Sequence, residues 1–492
     1  MRNIEEIKGK IPLYVKRVAD VLASKDYEAY LVGGSVRDLV LGKDPSDFDI
    51  ATNCSPGVLR DIFSKTIDVG ARFGTVVVVM EDRDGERYNV EVTTYRSESE
   101  YVGSRWPSKV QYADKLEDDL KRRDFTINAL ALDLINIEGR GANLAEVLVD
   151  LFGGIEDLEN KIVRAVGDPK ERFTEDALRM IRACRFASQL GFKIDQKTLE
   201  SVKSLSYLLK NISIERVRDE FLKILYNSPK PSVGIELLRK TGLLEVFLPE
   251  LIACIGVVQP EYHVDDVYVH TLKVVDLAQD EVKLAALFHD IAKPQTQSQD
   301  EKGTHFYQHD AEGAKVAEKV MQRMSFSKKE IQKVAQLVRH HMFYYPSADW
   351  RKQNNASVNK SNLEQLRQEK REKYRSVGGW SDAAIRRFIS RIGGEENLDD
   401  LIMLRIADAS ANPKSTFTDY EIDALQERIS KIIAEDSALK VTDLAVDGND
   451  LKELGLKGRQ IGETLESLLE KVIDDPTLNE KNKLLSIVKK NK

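Results

Sequence analysis

Three cysteines, Cys54, Cys184 and Cys254, are all that 492 residues contain, and none stands at a metal-ligand spacing from another. That excludes a disulfide framework and a thiolate metal site, and it is the usage expected of a reducing compartment. Long hydrophobic runs are missing too: no stretch approaches the roughly 20 apolar residues needed to span a bilayer. The opening MRNIEEIKGK lacks the apolar core of a secretory signal, so the expected location is the cytoplasm. Nor is there an excess of positive charge. Lysine and arginine number 74 against 81 acidic residues, a formal net charge of −7, which argues against a protein that coats nucleic acid through charge alone. Basic side chains gather in two places, Lys121-Arg122-Arg123 and residues 351–375, the second of which reads equally as a solvated linker. The chain has no sustained internal repeat, no long low-complexity tract and no sign of an obligate protein partner.

The stretch that organises the rest is residues 31–52, LVGGSVRDLVLGKDPSDFDIAT. It reads as a short buried strand, a Gly33-Gly34-Ser35 turn, a helical turn carrying Arg37 and Asp38, and a second strand holding Asp47 and Asp49. Paired glycines let backbone N–H groups approach a phosphate, and a helix start behind them favours negative charge. Strand alternation puts Asp47 and Asp49 on one face, where two carboxylates call for a cation between them. Taken together, G-G-S-x-R-D followed by D-x-D-I-A-T resembles the signature of the polymerase-β nucleotidyltransferase superfamily. Its wording is similar to the bacterial branch that holds tRNA CCA-adding enzymes and poly(A) polymerases.

Ahead of this stretch, Ile11, Val15, Val18 and Leu22 predict an amphipathic helix, and Ser55-Pro56 predicts another helix start. Residues 69–80 read as one β-branched run and 86–96 as the next strand, with Asp84-Gly85 as the hairpin turn between them. Glu91 on that second strand is a candidate third carboxylate, or a solvated strand residue. Residues 97–114 are polar and long for a connection; the resemblance implies the loop that helps CCA-adding enzymes switch from C to A. RRDFTINAL, residues 122–130, matches the family's second motif and makes Arg123 a candidate phosphate ligand. Beyond Gly167-Asp168-Pro169 the pattern predicts a long helix, with a start at Thr174 and with Asp176, Arg179 and Arg182 on one face. Its E-D-x-x-R-x-x-R-x-x-R string, which extends to Arg185, resembles the family's nucleotide-template motif. Cytosine and adenine share an exocyclic amino donor beside a ring-nitrogen acceptor, so a carboxylate and a guanidinium one turn apart fit both bases. Residues 211–250 predict a helical body ending at Thr241-Gly242.

All seven histidines fall between His263 and His341. His270, His289-Asp290 (expected on one helix), His309, His340-His341 and Asp408 resemble the HD-domain metal-ligand series, with His270, His289, Asp290 and Asp408 as the ligands. Imidazole and carboxylate together suit a divalent metal. The Gly-punctuated segment 441–472 resembles the tail of HD-containing CCA-adding enzymes and predicts either backbone contacts to RNA phosphates or a plain helical hairpin.

The expected fold class is α+β: a small polymerase-β-like sheet domain, then mostly helical neck, body, HD and tail regions. The expected divisions are a nucleotidyltransferase head at 1–160, a neck and body that holds the nucleotide template and binds RNA at 161–262, an HD domain at 263–412 and a tRNA-binding tail at 413–492. The resemblance implies CCA addition to tRNA from CTP and ATP. Asp47 and Asp49 would hold Mg²⁺, with Glu91 as a further candidate catalytic carboxylate, and Gly34, Arg37, Arg123, Asp176, Arg179, Arg182 and Arg185 would bind nucleotide. It leaves open a poly(A) polymerase, addition of CC or of A alone, and a metal-dependent phosphohydrolase in the HD part. A nucleotide-signalling HD hydrolase also joins these two domain types, but in the reverse order.

Overall fold

The computed structural model describes the chain apart from residues 1–3, 71–73, 82–83, 98–100, 103–105, 108–110, 140–141, 261–263, 302, 344–380, 395–396, 415–418, 435–437 and 491–492. The basic run at 351–375 and His263 therefore lie outside the described residues. Two compact units divide the chain, Met1–Phe247 and Leu248–Lys492. The fold is mixed: the first unit opens on a sheet, and helices dominate everything after it.

The sheet of the first unit has seven strands: β1 (Tyr30–Val32), β2 (Asp49–Thr52), β3 (Thr66–Gly70), β4 (Thr75–Glu81), β5 (Arg87–Thr94), and then β10 (Leu130–Asp133) and β11 (Leu148–Asp150). Their order is β11-β10-β1-β2-β5-β4-β3. Only β2 and β5 run parallel. The expected amphipathic helix spans Leu13–Ala23 and buries Val15, Val18 and Leu22. Tyr14 stacks on Tyr88 of β5 at 4.4 Å, and Val90 and Val92 are buried two and four positions farther along that face. Alternation turns Asn89, Glu91 and Thr93 to the other face. Residues 69–80 are not one strand but the meeting of β3 and β4, which pair antiparallel.

The segment expected as a loop at 97–114 carries strand pairs instead. β6 (Arg96–Ser97) pairs with β9 (Gln111–Tyr112), and between them β7 (Tyr101–Val102) pairs with β8 (Trp106–Pro107). Backbone pairing overrides the polar composition there. The neck departs from expectation as well. Its first helix is Pro169–Glu175, capped by Asp168, whose Oδ1 accepts the Lys170 N–H; Thr174 lies within it and bonds the Lys170 carbonyl. Asp176 is extended (φ −141°, ψ 102°), and Leu178–Leu190 forms a separate helix. The Asp176 carboxylate accepts the Leu178 N–H at 3.1 Å, so the side chain that ends one helix caps the next. The body follows as Ile214–Asn227 and Pro231–Lys240, closed at Gly242 (φ +75°).

In the second unit the helices Val267–Leu277, Lys283–Phe288, His309–Arg323, Lys328–His340 and Leu398–Ala411 surround the histidine cluster. The tail has its own core, in which Leu451, Leu468, Val472 and Leu484 join helices Gly448–Glu453, Arg459–Asp474 and Lys481–Lys490.

Candidate active site and metal centre

Pairing of β2 with β5 sets Asp49 opposite Glu91 on the face away from the Tyr14 helix; Asp47, expected on the same strand, instead precedes β2, which begins at Asp49, but its charge still acts on Asp49. Asp47 and Glu91 are exposed and Asp49 is half-buried. Burial, then the charges of Asp47 and Glu91, push the Asp49 carboxyl up to about 6, while Arg123 pulls the other way. Three carboxylates opposed by a single guanidinium form an electrostatic hole that fits a divalent cation.

Gly33 adopts φ +77°, ψ −133°, and a Cβ there would stand 2.8 Å from Arg123 Nη1. Its lack of a side chain lets Arg123 reach the turn between β1 and the Gly34–Val40 helix. Gly34, by contrast, is helical, with ordinary space around it. Arg123 is anchored by Asp119 at 3.1 Å, and Arg122 bonds the same carboxylate. Burial works against the Asp119 carboxylate, but Arg122 and Arg123 outweigh it and hold it below the usual range. Arg37 donates to Asp38 at 2.9 and 3.0 Å and to Asn128 at 2.9 Å.

The neck arginines form a network that the spacing did not reveal. Arg182 bonds Asp124 at 2.7 Å through Nε, and Arg185 pairs with Glu220 at 2.7 Å. Phe186 lies beneath three guanidinium groups, those of Arg185 at 4.1 Å, Arg37 at 5.2 Å and Arg182 at 5.4 Å. This ring joins the opening motif to the neck. Asp176 and Arg179 do not share a helix face. Asp176 accepts from Arg216 at 2.8 Å, and Arg179 donates to Glu175 at 2.7 Å and to the Arg122 carbonyl at 2.8 Å. Arg216, Asp124, Glu220 and Phe186 are the residues that sequence reasoning missed. Asp124 stood inside the RRD string, but a partner 40 positions away, as Arg216 is from Asp176, leaves no local signal.

In the second unit His270, His289, Asp290, His309, His341 and Asp408 converge. His340, half-buried and not among these ligands, and His305, paired with Asp300, stand apart from them. His289 and Asp290 are not in a helix but in the turn between Lys283–Phe288 and Lys293–Thr296. Pro294 in that second helix has no N–H to continue a helical ladder. The ring nitrogens Nδ1 of His289, His309 and His341 face the carbonyls three residues earlier at 2.8, 2.8 and 2.6 Å. A proton held on Nδ1 leaves the Nε2 lone pair as the ligand atom. All three Nε2 atoms are buried without a hydrogen-bond partner. Burial, with His289 adding to it, pushes His341 down to about 3, so its ring is neutral. For Asp290 burial acts in the opposite sense, yet His289 and Lys293 (2.7 Å) hold the carboxylate well below its usual range. His270 meets Asp408 at 3.0 Å and Arg405 bonds Asp408 at 2.8 Å. Buried imidazoles with unpartnered nitrogens, that of His341 held neutral, beside ionised carboxylates fit a metal.

Three family models match in succession: "Poly A polymerase head domain" over residues 29–164, "Probable RNA and SrmB- binding site of polymerase A" over 191–255, and "HD domain" over 263–412. A CCA-adding enzyme of Enterococcus faecalis is 50% identical over 218 residues, 44% of this chain and 50% of that enzyme. One of Lactobacillus helveticus is 51% identical over 207 residues, 42% of this chain and 48% of that enzyme. The chain thus spans about half the length of the curated relatives it matches. A solved Bacillus stearothermophilus CCA-adding enzyme in complex with CTP is 26% identical with a TM-score of 0.63, covering 97% of both chains. The chain carries, in succession, matches to a poly(A) polymerase head domain, a polymerase RNA-binding region and an HD domain, and it is similar in sequence and fold to bacterial CCA-adding enzymes.

Proposed function

We propose that this chain adds CCA to the 3′ end of tRNA from CTP and ATP with release of pyrophosphate, without a nucleic-acid template, in the cytoplasm. The observation that carries the reading is the carboxylate cluster of Asp47, Asp49 and Glu91 beside Arg123, in a chain whose relatives include CCA-adding enzymes. Asp47, Asp49 and Glu91 would hold Mg²⁺, which supplies positive charge to ionise the RNA 3′ hydroxyl and to offset the triphosphate. Arg123, Arg37 and the backbone at Gly33-Gly34 would orient the phosphates. Asp176 and Arg179 would read the base after exchanging their partners Arg216 and Glu175, with Arg182 and Arg185 holding the neck beneath it. No helix of the described residues is long and apolar enough to cross a membrane.

The functional divisions are then head 1–160, neck and body 161–262, HD domain 263–412 and a tRNA-binding tail 413–492. In the HD domain, His270, His289, Asp290 and Asp408 would hold a divalent metal for a phosphohydrolase activity separate from nucleotide addition.

A second reading, poly(A) polymerase, is favoured by the head-domain family's own description. One assay separates the two: tRNA transcripts ending before CCA, after C and after CC are incubated with single nucleotides and the products sized on a gel. CCA addition predicts C on the first two, A on the third, and then arrest. Repeated A addition to all three would support the polymerase, and one missing step would mark an enzyme restricted to CC or to A.

A further inference from the structure

We propose that Phe186 and Asn128 are positioning residues that couple choice of the base in the neck to orientation of the phosphates at the opening motif. This rests on the reading above, in which Arg37 orients phosphates and Asp176 reads the base. Phe186 and Asn128 have no assigned contact with substrate, and both are buried. They close a circuit between the two ends of the site. Along one arm, Arg37 Nη1 donates to Asn128 Oδ1 at 2.9 Å, and Asn128 Nδ2 donates to Asp124 Oδ1 at 3.2 Å. Asp124 Oδ2 then accepts from Arg182 Nε at 2.7 Å. Along the other arm, Arg37 and Arg182 both lie over the Phe186 ring, 5.2 and 5.4 Å from its centre.

Each member of the circuit is fixed from a second side. The Asn128 amide has one favourable orientation, with its oxygen toward a guanidinium and its nitrogen toward a carboxylate. Burial works against the Asp124 charge, but Arg182 and Asn128 outweigh it and hold the carboxyl below the usual range. Burial likewise opposes the Arg182 charge, while Asp124, Glu220 and Asp176 hold its guanidinium above the usual range. The proposed base reader Asp176 thus acts on the circuit through Arg182. At the far end Asp38 grips Arg37 at 2.9 and 3.0 Å, leaving the Phe186 face and Asn128 to fix its remaining freedom. Phe186 itself sits edge-to-face on Phe125 at 5.7 Å, and the Phe125 N–H bonds Asp124 Oδ1 at 2.8 Å. A shift of Arg182 when Asp176 engages a base is therefore passed to Arg37 by two routes.

The test measures C addition by the full chain to tRNA transcripts ending before CCA, with two further readouts. Inhibition by inorganic pyrophosphate reports on phosphates without a base, and preference for CTP over UTP reports on the base. Phe186→Leu keeps an apolar side chain, removes the ring face and changes no charge. It should weaken both readouts by about five-fold, the worth of one cation–π contact, while Phe186→Tyr restores both to within about two-fold. Asn128→Ala should weaken both as well. In the double variant the losses should combine to less than their product, because both changes open the same circuit. Circular dichroism checks folding, and the Phe186 pair decides alone if Asn128→Ala does not fold. A folded Phe186→Leu protein with parent values, a loss in one readout alone, or losses that multiply would overturn the coupling and leave the proposed function standing. A parent that adds no C to any transcript overturns both.

Discussion

Asp49 serves two opposed requirements. It must be ionised to hold a cation, yet burial and its neighbours raise its carboxyl to about 6. A folded-state value above the unfolded carboxylate's means that its contribution to stability is fully present below the unfolded value of 3.8 and is lost as pH rises from there through about 6. Above that pH the ionised group destabilises the metal-free protein by at most about 3 kcal/mol, from a shift near two units. Asp49→Asn should therefore raise the denaturation midpoint at pH 7.5 in the presence of a chelator, by roughly half as much at pH 5 and little below about pH 4, while abolishing nucleotide addition. Equal midpoints for parent and variant at pH 7.5 would remove the electrostatic account. Asp47→Ala should also abolish addition in a folded protein. At Asp176 the expected change is in choice rather than rate. Two well-placed hydrogen bonds discriminate bases by roughly 1–3 kcal/mol, so Asp176→Ala should admit UTP or GTP by about ten-fold or more relative to CTP and ATP. Competition of the four nucleotides on a tRNA lacking CCA measures it, and an unchanged preference would assign base selection elsewhere.

Among the elements, the turn after β1 separates two adjacent glycines that look alike in sequence. Gly33→Ala forces a side chain into a positive-φ position and against Arg123, at a cost of about 1–3 kcal/mol, and should displace that arginine from the carboxylates. Gly34→Ala, in helical backbone where a Cβ would meet only Arg37 Nη2 at an ordinary 3.6 Å, should leave stability within about 0.5 kcal/mol or improve it slightly. Urea unfolding of both variants checks the contrast. In the neck, Glu220 is buried and holds Arg185 at 2.7 Å and Lys223 at 3.0 Å, with Arg182 3.7 Å away. Removing it strands Arg185, which is itself largely buried, so Glu220→Ala should destabilise by about 3 kcal/mol. A loss below 1 kcal/mol would mean that water replaces the carboxylate.

For the whole molecule, the carboxylate face and the histidine cluster belong to different compact units. His289→Ala with Asp290→Ala should remove metal from the HD cluster and leave nucleotide addition within about two-fold of the parent. The metal content of the purified parent and double variant after loading with Mn²⁺ and desalting reads the first effect, and the same tRNA preparations read the second. Loss of addition in a folded double variant would mean that the two units are coupled.

Both motif strings, the Leu13–Ala23 helix and the gathering of histidines were legible in the sequence, whereas Asp47 precedes β2 and acts on Asp49 through charge rather than through strand alternation. Local periodicity and residue order are properties of the chain itself, and the α+β class followed from them. Other features depended on folding. Glu91 became a neighbour of Asp49 only through the parallel pairing of β2 with β5. The break at Asp176 arose because a side chain bonded to backbone where helical spacing continued unbroken through it. Arg216, Glu220 and Phe186 acquired their roles from partners far along the chain. That His341 and not His340 joins the cluster was invisible for the same reason: spacing records which residues share an element, while distance between elements is set by how their buried faces pack.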